Sequence, residues 1–265
     1  MLDLMELYLL EDCPYEDETV ELLKIDGNAR LEILTREKGI TACTEELAEF
    51  YKKKNICTLK YKRSGQEFKA GEVVFCAEGD AKTLFKLWRV SQTFLSITCA
   101  IATATKKLVD LAKSVNPNIL VATTRKTHPG FRKYEIKAVI SGSGCIHRNS
   151  LSDSILITPN HLNFVKIESK PNILRKVEIE PRTLEEALEF ADKADVLLLD
   201  HYSIEELKEV IPRLKSINPN LKIAVAGNIN EKNIKDYAVF ADIIVTSSPY
   251  YAKPLDLTTK IIKSQ

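Results

Sequence analysis

The sequence predicts an α/β protein, a barrel of parallel strands preceded by a smaller α+β layer. Three observations carry that prediction. From Ile119 to Ser247, short runs rich in β-branched residues alternate with amphipathic stretches of helical period, as buried parallel strands and their crossover helices do. The first ninety or so residues lack this alternation and mix a helical start with short strand-like runs. Polar residues able to do chemistry follow the carboxyl ends of several of the parallel strands, which is where α/β barrels carry their sites.

In chain order, Leu2, Met5, Leu9 and Leu10 repeat at helical spacing and open the chain. RLEILTRE (30–37) and NICTLKYKR (55–63) alternate as strands, and KAGEVVFCAEGDA (69–81) is a strand between two turn glycines. At Arg89 the texture changes. WRVSQTFLSITCAIATATKKLVDLAKSV (88–115) is a long helix ended by Asn116-Pro117. The domain boundary is placed near residue 92, giving domains at 1–92 and 93–251, with the tail at about 252–265 packing on the first. Beyond the long helix, ILVATT, KAVISG, SILIT, RKVEIE, DVLLLD, KIAVAG and DIIVTS read as strands. LEEALEFADK, IEELKEVIPRLK and NEKNIKDYA read as helices between them. No low-complexity linker separates the halves, so they are expected to pack as one body.

Lys plus Arg number 38 against 37 acids, a net charge of +1, which excludes bulk attraction to nucleic acid or an anionic membrane. Positive charge is instead concentrated locally. TTRKTHPGFRKYEIKAVISGSGCIHR (123–148) sets Arg125, Lys126, His128, Arg132, Lys133, Lys137, His147 and Arg148 around the single acid Glu135. No apolar stretch of membrane-spanning length and no basic leader occurs. The six cysteines are scattered without a CxxC pair, so reduced thiols and a cytoplasmic location are expected.

The strand ends supply the candidate site. Arg125-Lys126 follow ILVATT, Glu180 ends RKVEIE, Asp200 ends DVLLLD, Gly227-Asn228 follow KIAVA, and Ser247-Ser248 follow DIIVT. Cations, two carboxylates and small backbone-exposing residues on one rim suit a phosphorylated anion held with a divalent metal. An isolated charged residue at a strand end is usually a solvated cap, and Glu178 and Glu180, two apart, fit plain solvent-side alternation as well. Five successive strand ends favour a site. SGSG lacks the third glycine of a dinucleotide fingerprint, and the four histidines lack metal-ligand spacing. His147 reads as a hydrogen-bond donor to an anion beside Arg148.

These residues resemble the quinolinate (nicotinate-nucleotide) phosphoribosyltransferase family. The matching motifs are Arg89 ahead of Ile101-Ala102-Thr103, TRKTHPGFR, GSGCIHR, LSDSILITPNH, KVEIE, LLLD and DIIVTSSPYYAKPLD, in order along nearly the whole chain. The resemblance implies an N-terminal α/β sandwich, an open α/β barrel and a homodimer. It also implies Mg²⁺-dependent transfer of phosphoribose from phosphoribosyl pyrophosphate to a carboxylated base. By the same resemblance Arg125, Lys126, His147, Arg148 and Thr158 line the acidic substrate, with Lys126 also catalytic, and Arg89 reaches into the partner subunit's site. Glu180 and Asp200 hold ribose and metal, and Ala226, Gly227, Asn228, Ser247 and Ser248 receive phosphate.

Several positions depart from the quinolinate enzymes. A lysine there is Thr158 here, the usual SGG turn is Ala226-Gly227-Asn228, a glycine is Ser247, and a lysine is displaced to Lys137. With LLEDCPY and TSSPYYAKPLD these resemble the ModD branch, a pyrophosphorylase-type group associated with molybdenum transport. A base other than quinolinate is therefore expected, with Lys137 and Lys133 as candidates to replace the missing charge. The alternatives are a true nicotinate-nucleotide pyrophosphorylase of NAD biosynthesis and, in another class, a non-catalytic binder of small anions. Carboxylates beside the cations disfavour the binder, because they weaken anion capture.

Overall fold

The computed structural model describes residues 4–264; Leu2 of the opening helical pattern lies outside them. The chain divides into two compact units. The first takes the chain up to Lys106, His128–Ser143 and the segment from Pro249 onward, and the second takes Lys107–Thr127 and Gly144–Ser248. The expected boundary near residue 92 falls inside a helix.

In the first unit, α1 (Leu4–Asp12) and α2 (Glu18–Leu22) lead into β1 (Asn28–Thr35), followed by β2 (Gly39–Ile40), α3 (Thr44–Lys53), β3 (Cys57–Tyr61), β4 (Glu67–Phe68) and β5 (Val73–Asp80). Strand β13 (Leu257–Lys263), near the chain's end, pairs antiparallel with β1 and completes a sheet of order β13-β1-β5-β3, while β2 and β4 pair separately. Alternation along β1 sends Leu31 and Ile33 inward. They join a core that includes Leu47, Phe50 and Tyr51 of α3, Phe75 of β5, and Leu84 and Leu87 of the helix that follows β5. The buried Tyr51 hydroxyl is satisfied by Ser91 at 2.9 Å.

The long helix α4 (Ala81–Lys113) begins well before Arg89, where the sequence places the change of texture. Asp80 explains the earlier start. Its carboxylate accepts from Thr83 N and Oγ1, both at 2.8 Å, which satisfies donors in the first turn.

KAVISG is the one misread element of the alternating region. Its first five residues close α5 (Arg132–Ser141), a helix in the first unit, where Tyr134, Glu135, Ala138 and Val139 are buried. Buried positions three and four apart are the helical period, which a short apolar run does not display by itself.

The second unit holds seven strands: β6 (Leu120–Thr123), β7 (Cys145–Ile146), β8 (Ile155–Ile157), β9 (Val177–Ile179), β10 (Val196–Asp200), β11 (Lys222–Ala226) and β12 (Ile243–Thr246). Their order is β7-β6-β12-β11-β10-β9-β8 and every pair is parallel. Strands β7 and β8, neighbours in the chain, lie at opposite edges and do not pair, so the barrel is open. Between strands run α6 (Pro159–Leu162), α7 (Leu184–Phe190), α8 (Ile204–Ile217) and α9 (Ile234–Ala238). Ser203 and Glu206 form a capping box at the start of α8, and Leu207, Val210 and Leu214 bury its apolar stripe.

Alternation sorts the strand residues onto two faces. Val121, Val177, Ile179, Leu197, Leu199, Ile223, Val225 and Ile244 pack outward in the same core as helix residues such as Ala187 and Leu207. Ala122, Val196, Leu198, Ala224, Ala226 and Val245 form the smaller interior cluster, with Cys145, Leu156 and Ile243 against it.

Candidate active site

Because all seven strands run parallel, their carboxyl ends share one rim. Following the sheet from edge to edge, the rim carries His147-Arg148 after β7, Arg125-Lys126 after β6, Ser247-Ser248 after β12 and Gly227-Asn228 after β11. Asp200 ends β10, Glu180 follows β9 and Thr158 follows β8. Each predicted rim residue therefore lies at a strand end, with Ala226 as the buried last residue of β11.

Glu178 and Glu180 do not face solvent. Val177 and Ile179 point outward, so the alternate residues Glu178 and Glu180 belong to the interior face, and Asp200 follows Val196 and Leu198 on that face too. His147 Nε2 stands 2.6 Å from Glu178 Oε2, with the two side chains 9% and 14% exposed, although the contact lacks hydrogen-bond angles. It joins an edge strand to one five places along the sheet order, so the sheet is curled. His147, expected to address an anion beside Arg148, meets a protein carboxylate through one ring nitrogen.

Burial pushes the Glu180 carboxyl above the ordinary carboxylate range, and the negative charges of Asp200 and Glu178 push the same way. Lys126 and Arg148 pull it back. The rim cations have little else to hold. Among the described residues no protein hydrogen bond or ion pair engages the side chains of Arg125, Lys126 or Arg148, and Arg125 Nε is buried without a partner. Such groups are costly unless a ligand completes them.

The neutral middle of the rim is built from backbone. Gly227 has φ +98°, and a Cβ there would lie 2.6 Å from His201 N, so only glycine fits. Asn228 also adopts a left-handed conformation, φ 52°, and its carbonyl accepts from Asn230 Nδ2 and Asn233 Nδ2 at 3.0 and 3.3 Å. Ser247 follows the last residue of β12, and the Ser248 N–H donates to Thr246 Oγ1 at 3.0 Å as a 3₁₀ turn (Ser248–Tyr251) begins.

Thr158 caps α6, and His161 Nδ1 lies 3.0 Å from its N–H and 2.8 Å from its hydroxyl. Neither expected substitute for the missing lysine lies on a strand or loop of the barrel. Both sit on α5: Lys137 is held by Glu45 and Glu46 at 3.0 and 2.6 Å, and Lys133 lies over the Tyr134 ring at 5.4 Å. Burial alone would raise the Glu45 carboxyl, but hydrogen bonds from Ser64 and Lys137 outweigh it and hold the group at about 2. Arg89, in the first unit, stacks on Trp88 at 4.0 Å and lines a cavity of about 470 Å³ with Tyr8, Glu11, Asp12 and Thr93.

Two family models cover the chain: the N-terminal domain of quinolinate phosphoribosyl transferase matches residues 17–99, and its C-terminal domain matches residues 101–260. The chain belongs to the quinolinate phosphoribosyl transferase family. A protein of Pasteurella multocida that carries the ModD name is 31% identical to this family member, over 97% of this chain and 95% of its own length. A Methanocaldococcus jannaschii protein named as a probable carboxylating nicotinate-nucleotide pyrophosphorylase is 32% identical, over 100% and 98%. The nicotinate-nucleotide pyrophosphorylase structure from Francisella tularensis superposes with a TM-score of 0.87 at 28% identity, covering 98% of this chain and 95% of that one. The open parallel barrel and the separate antiparallel sheet are thus the fold of the quinolinate phosphoribosyl transferase family.

Glu178 is the rim residue that sequence reading undervalued. Its signal was present in the two-residue spacing of VEIE, but the face that spacing selects is set by the curl of the sheet. Among the described residues no helix is long and apolar enough to cross a membrane.

Proposed function

We propose that this protein transfers phosphoribose from phosphoribosyl pyrophosphate to a carboxylated base, releasing pyrophosphate. One observation carries the reading: three cations that no protein hydrogen bond or ion pair engages among the described residues share a rim with the neighbouring carboxylates Glu180 and Asp200, in a member of this family. In such a transfer the C1–O bond to pyrophosphate breaks while a bond from the base's nitrogen forms, and the ribose carbon becomes oxocarbenium-like between. Glu180 and Asp200 accept hydrogen bonds from the ribose hydroxyls and face the developing positive charge. Arg125, Lys126 and Arg148 neutralise phosphate and carboxylate oxygens and orient the base's nitrogen toward C1. The backbone of Ala226, Gly227 and Asn228, with Ser247 and Ser248, receives the phosphate.

The donor set suits Mg²⁺. Among the described residues there is no group of three or more His, Cys, Asp or Glu that could hold a metal, and Mg²⁺ asks for one or two carboxylates plus substrate oxygens and water. Glu180 and Asp200 are those carboxylates, and the ion supplies charge neutralisation for the leaving group when bound. We further propose a homodimer in which Arg89, whose guanidinium is held by no ion pair among the described residues, completes the partner subunit's site.

Calorimetry of Mg²⁺ with phosphoribosyl pyrophosphate tests the reading, together with pyrophosphate release across a panel of carboxylated bases. Glu180→Gln and Asp200→Asn are expected to abolish turnover while the fold persists. Unchanged binding of Mg²⁺ and phosphoribosyl pyrophosphate in both variants would overturn the assignment of these carboxylates. Binding without turnover of any base would favour the anion-binding alternative.

A further inference from the structure

The rim divides by hydrogen-bonding character. The charged groups after β6 and β7 are Arg125, Lys126 and Arg148, all donors. On β8, β9 and β10 the groups are Thr158, Glu180 with Glu178 one pleat below it, and Asp200. Continuing the register of β8 and β9, in which Ile157 pairs with Ile179, sets Thr158 beside Glu180.

Thr158 decides what this second half can bind. Its backbone N–H can only donate, so His161 Nδ1, which receives it at 3.0 Å, is unprotonated, and the Thr158 hydroxyl lies 2.8 Å from the same nitrogen. The hydroxyl carries no charge to set against an acidic group of a ligand. The cation that follows β9, Arg182, is engaged by Glu186 and Asn163, and Lys137 is occupied by Glu45 and Glu46. An acidic group placed against β8 and β9 would be repelled by Glu178 and Glu180, whose charge Lys126 and Arg148 offset only in part. An N–H, an O–H or an uncharged edge would not.

We propose, building on the transferase reading, that the acceptor is a base with a single acidic group. That group is taken by the cations after β6 and β7, and the edge facing β8 is neutral or donates hydrogen bonds. Thr158, positioned by His161, is the specificity-determining residue.

The test is calorimetric binding of two probes to the full-length protein, pyridine-3-carboxylate and pyridine-2,3-dicarboxylate, with phosphoribosyl pyrophosphate and Mg²⁺ titrated separately. The monocarboxylate is expected to bind at least tenfold more tightly. Thr158→Lys should tighten the dicarboxylate at least tenfold and shift the preference between the two acids toward it. Equal or tighter binding of the dicarboxylate by the unmodified protein, or no binding of either acid, overturns the inference, and this arm does not depend on the variant folding. If phosphoribosyl pyrophosphate binds in that case, only the acceptor inference falls; if it does not bind, the transferase reading falls with it.

Discussion

Replacing Glu180 by glutamine should stabilise the protein while removing its ability to bind phosphoribosyl pyrophosphate with Mg²⁺. Glu180 shares the interior face with Glu178 and Asp200, and both push its carboxyl upward, in addition to burial. Same-face neighbours on a strand lie roughly 7 Å apart. At that distance two charges repel by about 2.4 kcal/mol at an effective dielectric constant of about 20, and by about 0.6 kcal/mol in water. Glu180 is only half-buried and Lys126 and Arg148 offset part of the repulsion, so solvent screening brings the net gain to roughly 0.5–1.5 kcal/mol. For a chain of this size that corresponds to about 1–5 °C in Tm. The sign follows from the raised carboxyl. The native state holds this proton more tightly than the unfolded chain, so the penalty is absent below the unfolded value of about 4.3 and grows as pH rises through the folded one. Thermal unfolding of both proteins at pH 4 and pH 7 is the assay. The variant should be more stable at pH 7 and equal at pH 4, and calorimetry should show at least a tenfold loss of ligand affinity. No gain at pH 7, or the same gain at both pH values, would refute the electrostatic account.

Lys137→Ala should cost about 1–2 kcal/mol in urea unfolding, because it strands the partly buried Glu45 and Glu46, and should leave the affinity for carboxylated bases unchanged. Lys126→Ala should do the reverse, and a large affinity loss in the Lys137 variant would contradict the partners described for it. Gly227→Ala should destabilise by about 2–4 kcal/mol, combining a positive φ with a Cβ that meets His201 backbone, and circular dichroism melting will show whether it does. Mixing Arg89→Ala with Arg125→Ala, each inactive alone, should restore activity in hybrid dimers; demonstrated subunit exchange without recovery argues against a shared site.

The sequence by itself determined the alternating region, the strand ends and the family. These are local matters: strand alternation has a period of two, the cap of α8 is fixed by two residues three apart, and the TRKTHPGFR and GSGCIHR motifs are contiguous. Six of the seven runs read as strands hold strands; only KAVISG does not, because a short apolar run carries too few residues to show whether its buried positions repeat every two or every three to four. Tertiary structure decided what the charges face. Glu178 and Glu180 have the same spacing whether they point to water or into a barrel, and only the curl that brings β7 to His147's contact with Glu178 selects the interior. Lys137 is likewise a cation within the motif region whose partners, Glu45 and Glu46, lie some ninety residues away in the chain. A residue's local period sets its direction on an element, but its electrostatic role depends on groups that the fold brings together from distant positions.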